Sequence, residues 1–350
     1  MGEVLGGRYE LVDPLGEGGA GLVWRAFDHR EGRYVAAKVM RQVDAHSLLR
    51  FVREQAVRIA HPHVLTPLGW AGEDERVLFT MPVVRGGSVA TLVGDHGPLP
   101  PGWVATLLDQ LLAALERIHA EGLVHRDVKP ANLLLDATGR GLPRARLADF
   151  GIAAAVDQPR FTQVGHVVGT LGYAAPETLR PGWDPDPRAD LYAAGMTAAE
   201  MVLGERPPEG EGDDLARQLV RAHVPAPLLD VVLNLAAPEP GRRFATAAAA
   251  RIALAATGLV ADGSSWEAGE VEVFDQLPEL PHGWDEDGPA PEPAPDRDPA
   301  PTAGGPAPGP APDREPAGAA PGRPGASRLG AVLLAAGLLL ILAAVLLAVR

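Results

Sequence analysis

The sequence predicts an α+β protein in three parts: a globular region over residues 1–258, a disordered linker over 259–327 and one transmembrane helix over 329–349. Three observations carry that prediction. Strand-like alternation around a glycine-rich turn opens the chain and gives way to helical spacing; the composition changes abruptly near residue 258; and the C-terminus is an uncharged apolar run.

The first two strands are expected at residues 8–15 and 23–26, with Gly16-Glu17-Gly18-Gly19-Ala20-Gly21-Leu22-Val23 between them. Glycines in such a turn accept positive φ and let backbone N–H groups approach an anion with no Cβ in the way. A dinucleotide fingerprint shares the G-x-G-x-x-G core but opens a helix. Here residues 22–26 continue as strand, which favours a hairpin lid over a nucleotide. A third strand, Tyr34-Val35-Ala36-Ala37-Lys38-Val39, carries one charge, the lysine. Asp44 can then cap a helix to about Ala60, with Leu48, Leu49, Val52, Ala56 and Ile59 at helical spacing and Glu54 on it.

Composition bounds the rest. A 46% hydrophobic content is enough for a sizeable core. The net charge of −14 sits mostly in residues 259–327, which hold 14 acidic and 3 basic side chains and 15 of the 35 prolines. Such a stretch buries too little apolar surface to offset its ordering entropy, hence the linker assignment. The acidity argues against a nucleic-acid partner. With no cysteine, disulfides, thiolate catalysis and cysteine metal sites are excluded. Residues 1–9 contain no apolar run, so no secretory signal is expected. Residues 329–349 carry no charge and would span roughly 31 Å as a helix, about one hydrocarbon core. A tail anchor is the expectation, and Arg323 and Arg328 against Arg350 bias the globular part toward the cytoplasm.

Only two of the 31 basic residues are lysines, Lys38 and Lys129. A compact ammonium and a planar guanidinium are poor substitutes for each other at phosphate oxygens, so lysine retained at two motif positions points to phosphate chemistry. Lys129 lies in His125-Arg126-Asp127-Val128-Lys129-Pro130-Ala131-Asn132, which is followed by Asp149-Phe150-Gly151 and Ala175-Pro176-Glu177.

With these residues the chain resembles the bacterial eukaryotic-type serine/threonine protein kinases, of the membrane-anchored kind but lacking an extracellular sensor domain. Five ordered elements over about 250 residues carry the resemblance. It implies a bilobal kinase fold, with a β-rich N-lobe over about 1–84 and a helical C-lobe over about 85–258, and ATP with Mg²⁺ as cofactors. It also implies roles. Asp127 would orient or accept the proton of a substrate hydroxyl, Lys129 would neutralise the transferring phosphoryl group, and Asn132 and Asp149 would hold the metal. Lys38, paired with Glu54, would face the α- and β-phosphates. The nucleotide would lie among Leu15, Gly16, Glu17, Gly18, Gly19, Ala20, Gly21, Val23, Ala36, Met81 and Val84. Met81 falls at the gatekeeper position, and the hinge Pro82-Val83-Val84 would offer the Pro82 carbonyl and the Val84 N–H. Asp190 is similar to the aspartate that anchors the catalytic loop, and Arg243 would pair with Glu177. The lysine after Asp127, together with Gly169 and Thr170, implies serine/threonine specificity.

Two departures qualify the resemblance. Residues 205–227, where the family docks substrates, are short and rich in glycine, proline and acid. Of two threonines common in related activation segments, Thr162 occupies one position and Val164 the other, making Thr162 the candidate phosphosite, with Arg126 as its partner. The expected partners are protein substrates with serine or threonine, the membrane, and a second copy for trans-autophosphorylation. The alternatives are a membrane-tethered pseudokinase scaffold that binds nucleotide without turnover, and a small-molecule kinase. The retained lysines and aspartates weigh against the first, and the Ala-Pro-Glu segment against the second.

Overall fold

The structure is a computed structural model that describes residues 2–18, 21–41, 59–73, 76–149, 171–207 and 212–290. Glu54, Thr162, Gly19, Ala20 and the apolar run 329–349 lie outside these residues. No helix among the described residues is long and apolar enough to cross a membrane.

Six antiparallel strands form one sheet in the order β1-β2-β3-β4-β6-β5: β1 Val4–Leu5, β2 Tyr9–Gly18, β3 Gly21–Asp28, β4 Arg33–Arg41, β5 Gly69–Glu73 and β6 Arg76–Met81. The strands bracket the turns expected from sequence, and Gly18 pairs with Gly21 where β2 turns into β3. Side chains alternate across the sheet, and its two faces meet different surroundings. One carries Ala26, Val35, Ala37 and Leu78 into a small core with Leu5, Tyr9 and Leu11. The other carries Tyr34, Ala36, Lys38 and Met40 along β4. Its Met40, Val77 and Phe79 enter the core shared with the helices.

The helical part comprises α1 Val89–His96, α2 Pro101–Ala120, α3 Arg188–Leu203, α4 Gly212–Arg221, α5 Ala226–Leu235 and α6 Ala247–Ala255. Ser88 caps α1 reciprocally with Thr91. Helix α2 starts on a proline and is apolar nearly all round, as a helix at the centre of a core must be. Helix α3 packs on α2 and α5 through alanines and Gly195. An ideal Cβ at Gly195 would sit 2.7 Å from the Ala236 nitrogen and 2.8 Å from the Leu235 Cβ. Gly195→Ala, which would stabilise an exposed helix by about 1 kcal/mol, is therefore expected to destabilise this one by about 1–2 kcal/mol through overpacking. Thermal unfolding reads the sign directly. The stretch 205–227, short and rich in glycine, proline and acid, contains the ten-residue helix α4.

The structure corrects the linker boundary. Residues 259–290 form part of the same compact unit as the strands and helices. Trp266 meets Trp103 edge to face at 4.7 Å and donates to the Arg140 carbonyl, while Trp103 donates to the Ala268 carbonyl. Val273 exchanges two backbone hydrogen bonds with Gly139 and is buried with Val271. A two-stranded hairpin, β9 Trp284–Asp285 and β10 Gly288–Pro289, ends the segment against Phe27 and Tyr34 of the sheet. The physical reason is that a few large apolar side chains here dock into grooves other elements have already built, so this segment needs no core of its own.

Candidate active site

Between the sheet and the helices, β7 Leu133–Leu135 and β8 Ala145–Leu147 form a hairpin whose two ends present the catalytic loop and Asp149. The Ala148 N–H donates to the Asn132 carbonyl at 2.8 Å, joining the two ends. Lys38 arrives from above. Its side chain is only 5% exposed, and its ammonium lies 2.9 Å from both Asp149 oxygens. Since Glu54 lies outside the described residues, the partner the structure gives Lys38 is Asp149, 111 positions away.

Asp127 is held just as closely. Lys129 Nζ donates to both its oxygens at 3.1 and 3.0 Å, and Asn132 Nδ2 donates to Oδ2 at 2.9 Å and to the Asp127 carbonyl at 2.7 Å. Burial alone would raise the Asp127 pKa, but the Lys129 ammonium and the Asn132 amide outweigh it and hold the carboxyl below the usual range. Asn132 thereby turns its amide nitrogen to Asp127, leaving Oδ1 as a metal donor. One carboxylate and one amide oxygen suit Mg²⁺, which takes its remaining ligands from phosphates and water.

The loop's backbone is strained and compensated. Arg126 and Asp149 adopt φ of 67° and 61°, unfavourable for side-chain-bearing residues. Asp190 offsets this by accepting the His125 and Arg126 N–H groups at 2.7 and 2.8 Å, and His119 orients it at 2.8 Å. His125, missed as a site residue from sequence, is fully buried; it accepts the Asp127 N–H through Nδ1 and donates from Nε2 to the Ala148 carbonyl. One neutral imidazole thus spaces the Asp127 loop from the residue preceding Asp149. Its burial inside the loop is not marked by any local pattern in the sequence.

That burial also pushes the His125 pKa below the ordinary value. Above about pH 6.5 the folded and unfolded chains are both neutral at this position and it adds no pH dependence. As pH falls further, the unfolded chain takes up a proton the folded one refuses, and stability drops by up to about 1.4 kcal/mol per pH unit until the lowered pKa is reached. Burial shifts His61 and His63 in the same direction. Urea midpoints near pH 7 and about pH 5.5 should show this loss; equal midpoints would contradict it.

The nucleotide-side residues converge on the cleft face of the sheet. Ala36 lies opposite Met81, and Lys38 opposite Val23 and Phe79. Gly16 pairs with Val23 beyond a register shift that leaves Leu15 bulged out of the ladder. Glu17, Gly18 and Gly21 lie in the two strands flanking the turn. Among the described residues neither the Pro82 carbonyl nor the Val84 N–H has a backbone partner, as a purine edge requires. Farther off, Arg243 uses all five of its donors: two on Glu177 at 2.6 and 2.8 Å, the others on the carbonyls of Ala237, Arg188 and Pro238.

Comparison with known proteins gives the family and the fold. Residues 9–241 match the family model for the protein kinase domain. The chain is 34% identical over 295 residues to the serine/threonine-protein kinase PkaA of Streptomyces coelicolor, covering 77% of this chain and 53% of PkaA. It is 41% identical over 251 residues to the DNA damage-responsive serine/threonine-protein kinase RqkA of Deinococcus radiodurans, covering 68% of this chain and 36% of RqkA. The crystal structure of the Mycobacterium tuberculosis PknI kinase domain superposes with a TM-score of 0.58 at 30% identity, covering 73% of this chain and 98% of that one. The chain thus spans about half or less of the length of these two full-length relatives.

Proposed function

Because the chain belongs to the protein kinase family, we propose that it transfers the γ-phosphoryl group of ATP to serine and threonine hydroxyls of proteins. The observation that carries this reading is the convergence of two ammonium groups, two carboxylates and one amide on a single cleft. Phosphoryl transfer asks a protein mainly for positioning and charge stabilisation, and this set supplies both.

Lys38 would meet the α- and β-phosphates from the sheet, and Lys129 the transferring group from the loop. Asp149 and the Asn132 Oδ1 would hold Mg²⁺, which would neutralise charge on the phosphates. Asp127 Oδ1 is shared with Lys129 alone, so it is the oxygen free to accept the substrate hydroxyl. As the hydroxyl oxygen bonds to the γ-phosphorus, the bond to the β–γ bridging oxygen breaks, ADP leaves and the hydroxyl proton passes to Asp127. A carboxyl held below its usual pKa is a weak base, so Asp127 acts chiefly by orienting the hydroxyl and receives the proton late.

The tether belongs to the same proposal. The uncharged run 329–349 supports a single membrane-spanning helix with the catalytic part on the cytoplasmic side, where ATP is available. Tethering would raise the local concentration of a second copy and favour phosphorylation in trans, with Thr162 as the acceptor in the activation segment. Incubation of the full chain with labelled ATP, Mg²⁺ and a generic protein substrate tests the activity. Transfer by the wild type and none by Lys38→Met is expected. Identical silence from both would favour a scaffold.

A further inference from the structure

The segment leaving the helical part touches three places in succession, from the hinge along the cleft face of the sheet to the turn end of β3 and β4. At the hinge, the Gln276 N–H donates to the Arg85 carbonyl at 2.7 Å and Asp275 pairs with the Arg85 guanidinium at 2.8 Å. Beyond the hinge, Arg25 donates to the Pro278 and Glu279 carbonyls at 3.0 and 3.2 Å. Asp13 grips the same guanidinium through two bonds of 2.7 Å, so this attachment is itself fixed. At the far end, Trp284 packs on Phe27 and Tyr34 with ring centroids 6.0 and 6.2 Å away, and the Tyr34 hydroxyl donates to the Asp285 carbonyl at 2.6 Å.

Arg25 and Phe27 on β3, and Tyr34 on β4, lie on the sheet face that also carries Val23, Ala36 and Lys38. The segment therefore continues the row of side chains that lines the cleft. Pro278 and Pro281 stiffen the crossing. The hinge is shaped to receive it. A Cβ at Gly86 would lie 2.6 Å from a Val273 methyl, and one at Gly87 would lie 2.3 Å from the Gln276 amide oxygen. Two glycines side by side leave the room these contacts need.

We infer that residues 275–290 are a positioning strap: attached at once to the hinge and to the cleft face of the sheet, they hold Ala36 and Lys38 over the catalytic loop and thereby set nucleotide affinity. The inference rests on the nucleotide reading of the cleft given above. Its physics is a population argument. If the sheet can tilt away about the hinge, only the closed fraction binds nucleotide tightly, and apparent affinity scales with that fraction. Opening the cleft breaks strap contacts, so the strap raises the closed fraction. Trp284 is the positioning residue on which the far attachment turns, and it touches no group assigned to chemistry.

The test uses the full chain with Trp284→Ala, its conservative counterpart Trp284→Phe, and the double variant Trp284→Ala/Tyr34→Phe. Hydrogen exchange without nucleotide reads the strap and β3–β4 amides. Binding of a fluorescent ATP analogue reads affinity, and turnover at saturating ATP reads chemistry. Trp284→Ala is expected to speed exchange in residues 278–290, raise the nucleotide Kd and KM by roughly threefold to tenfold, and leave kcat within about twofold, with Trp284→Phe restoring affinity. A merely structural tryptophan would lower kcat and affinity together, or neither. Unchanged nucleotide affinity in a variant whose strap exchanges freely overturns the inference, as does a strap that stays protected even in the double variant. A wild-type chain that binds no nucleotide would instead defeat the kinase reading, and lobe exchange alone would then show whether the segment couples sheet to hinge.

Discussion

Asp127→Asn is expected to lower kcat by roughly 10²–10⁴-fold while leaving nucleotide affinity within about twofold. The substitution preserves size and most of the local packing, but it removes the negative charge that Lys129 pairs with at 3.0 and 3.1 Å. The one oxygen the amide keeps stays with the Asn132 and Lys129 donors, so an NH₂ replaces the carboxylate oxygen that would align a substrate hydroxyl with the γ-phosphorus. Asp127 itself makes no contact with Lys38 or Asp149, which lie at the metal and phosphate end of the cleft. The loss should therefore fall on turnover and not on ATP binding. Single-turnover transfer measured beside equilibrium nucleotide binding separates the two. A variant that loses affinity in proportion to rate would show that Asp127 serves the nucleotide, and the assignment of roles would have to be redrawn.

Arg243→Met is expected to destabilise the helical part by about 3–5 kcal/mol. The cause is the partner left behind. Glu177 is 10% exposed at its side chain and Arg243 is fully covered, so the variant leaves a carboxylate without its hydrogen-bonded counter-charge in a place that water reaches poorly. Three backbone carbonyls, of Ala237, Arg188 and Pro238, lose donors at the same time. Urea unfolding of the full chain measures the loss. The double variant Arg243→Met/Glu177→Gln should recover part of it, because the uncompensated charge is gone. If the single variant is nearly neutral, the pair is solvated to a degree its geometry does not suggest. Turnover per folded molecule should change little, since neither residue faces the cleft chemistry.

Much of the cleft is legible in the chain because phosphoryl transfer needs few residue types at fixed local spacing. Asp127, Lys129 and Asn132 lie within six positions, and the turn at Pro130–Asn132 that brings them together is local. The glycine turn and the strand with Ala36 and Lys38 are equally readable, whereas the Glu177–Arg243 pair, 66 positions apart, comes only through the family resemblance. Partner choice across long separations was less so. Nothing near Lys38 in sequence announces Asp149 as the group within 2.9 Å of its ammonium. Nor does anything mark His125 as the buried spacer between two carbonyl and amide groups of the loops. Glu54 and Thr162 lie outside the described residues, and their roles stay with the proposal.

The segment 259–290 shows where composition misleads. Averaged over the full acidic, proline-rich stretch, too little apolar surface is present to fold alone, and that inference is sound for a chain in isolation. Yet Trp266, Val273 and Trp284 fall within its first part and find partners 134 to 257 positions earlier in Trp103, Gly139 and Phe27. Local rules of strand alternation, helical spacing and motif spacing depend on neighbours a few residues away, so one chain read in order reveals its strands, its central helix and its catalytic loop. Which distant surfaces meet depends on grooves that exist only after those elements have packed. That is why the cleft's chemistry could be read from the residue order, whereas the strap across its hinge could be seen only in three dimensions.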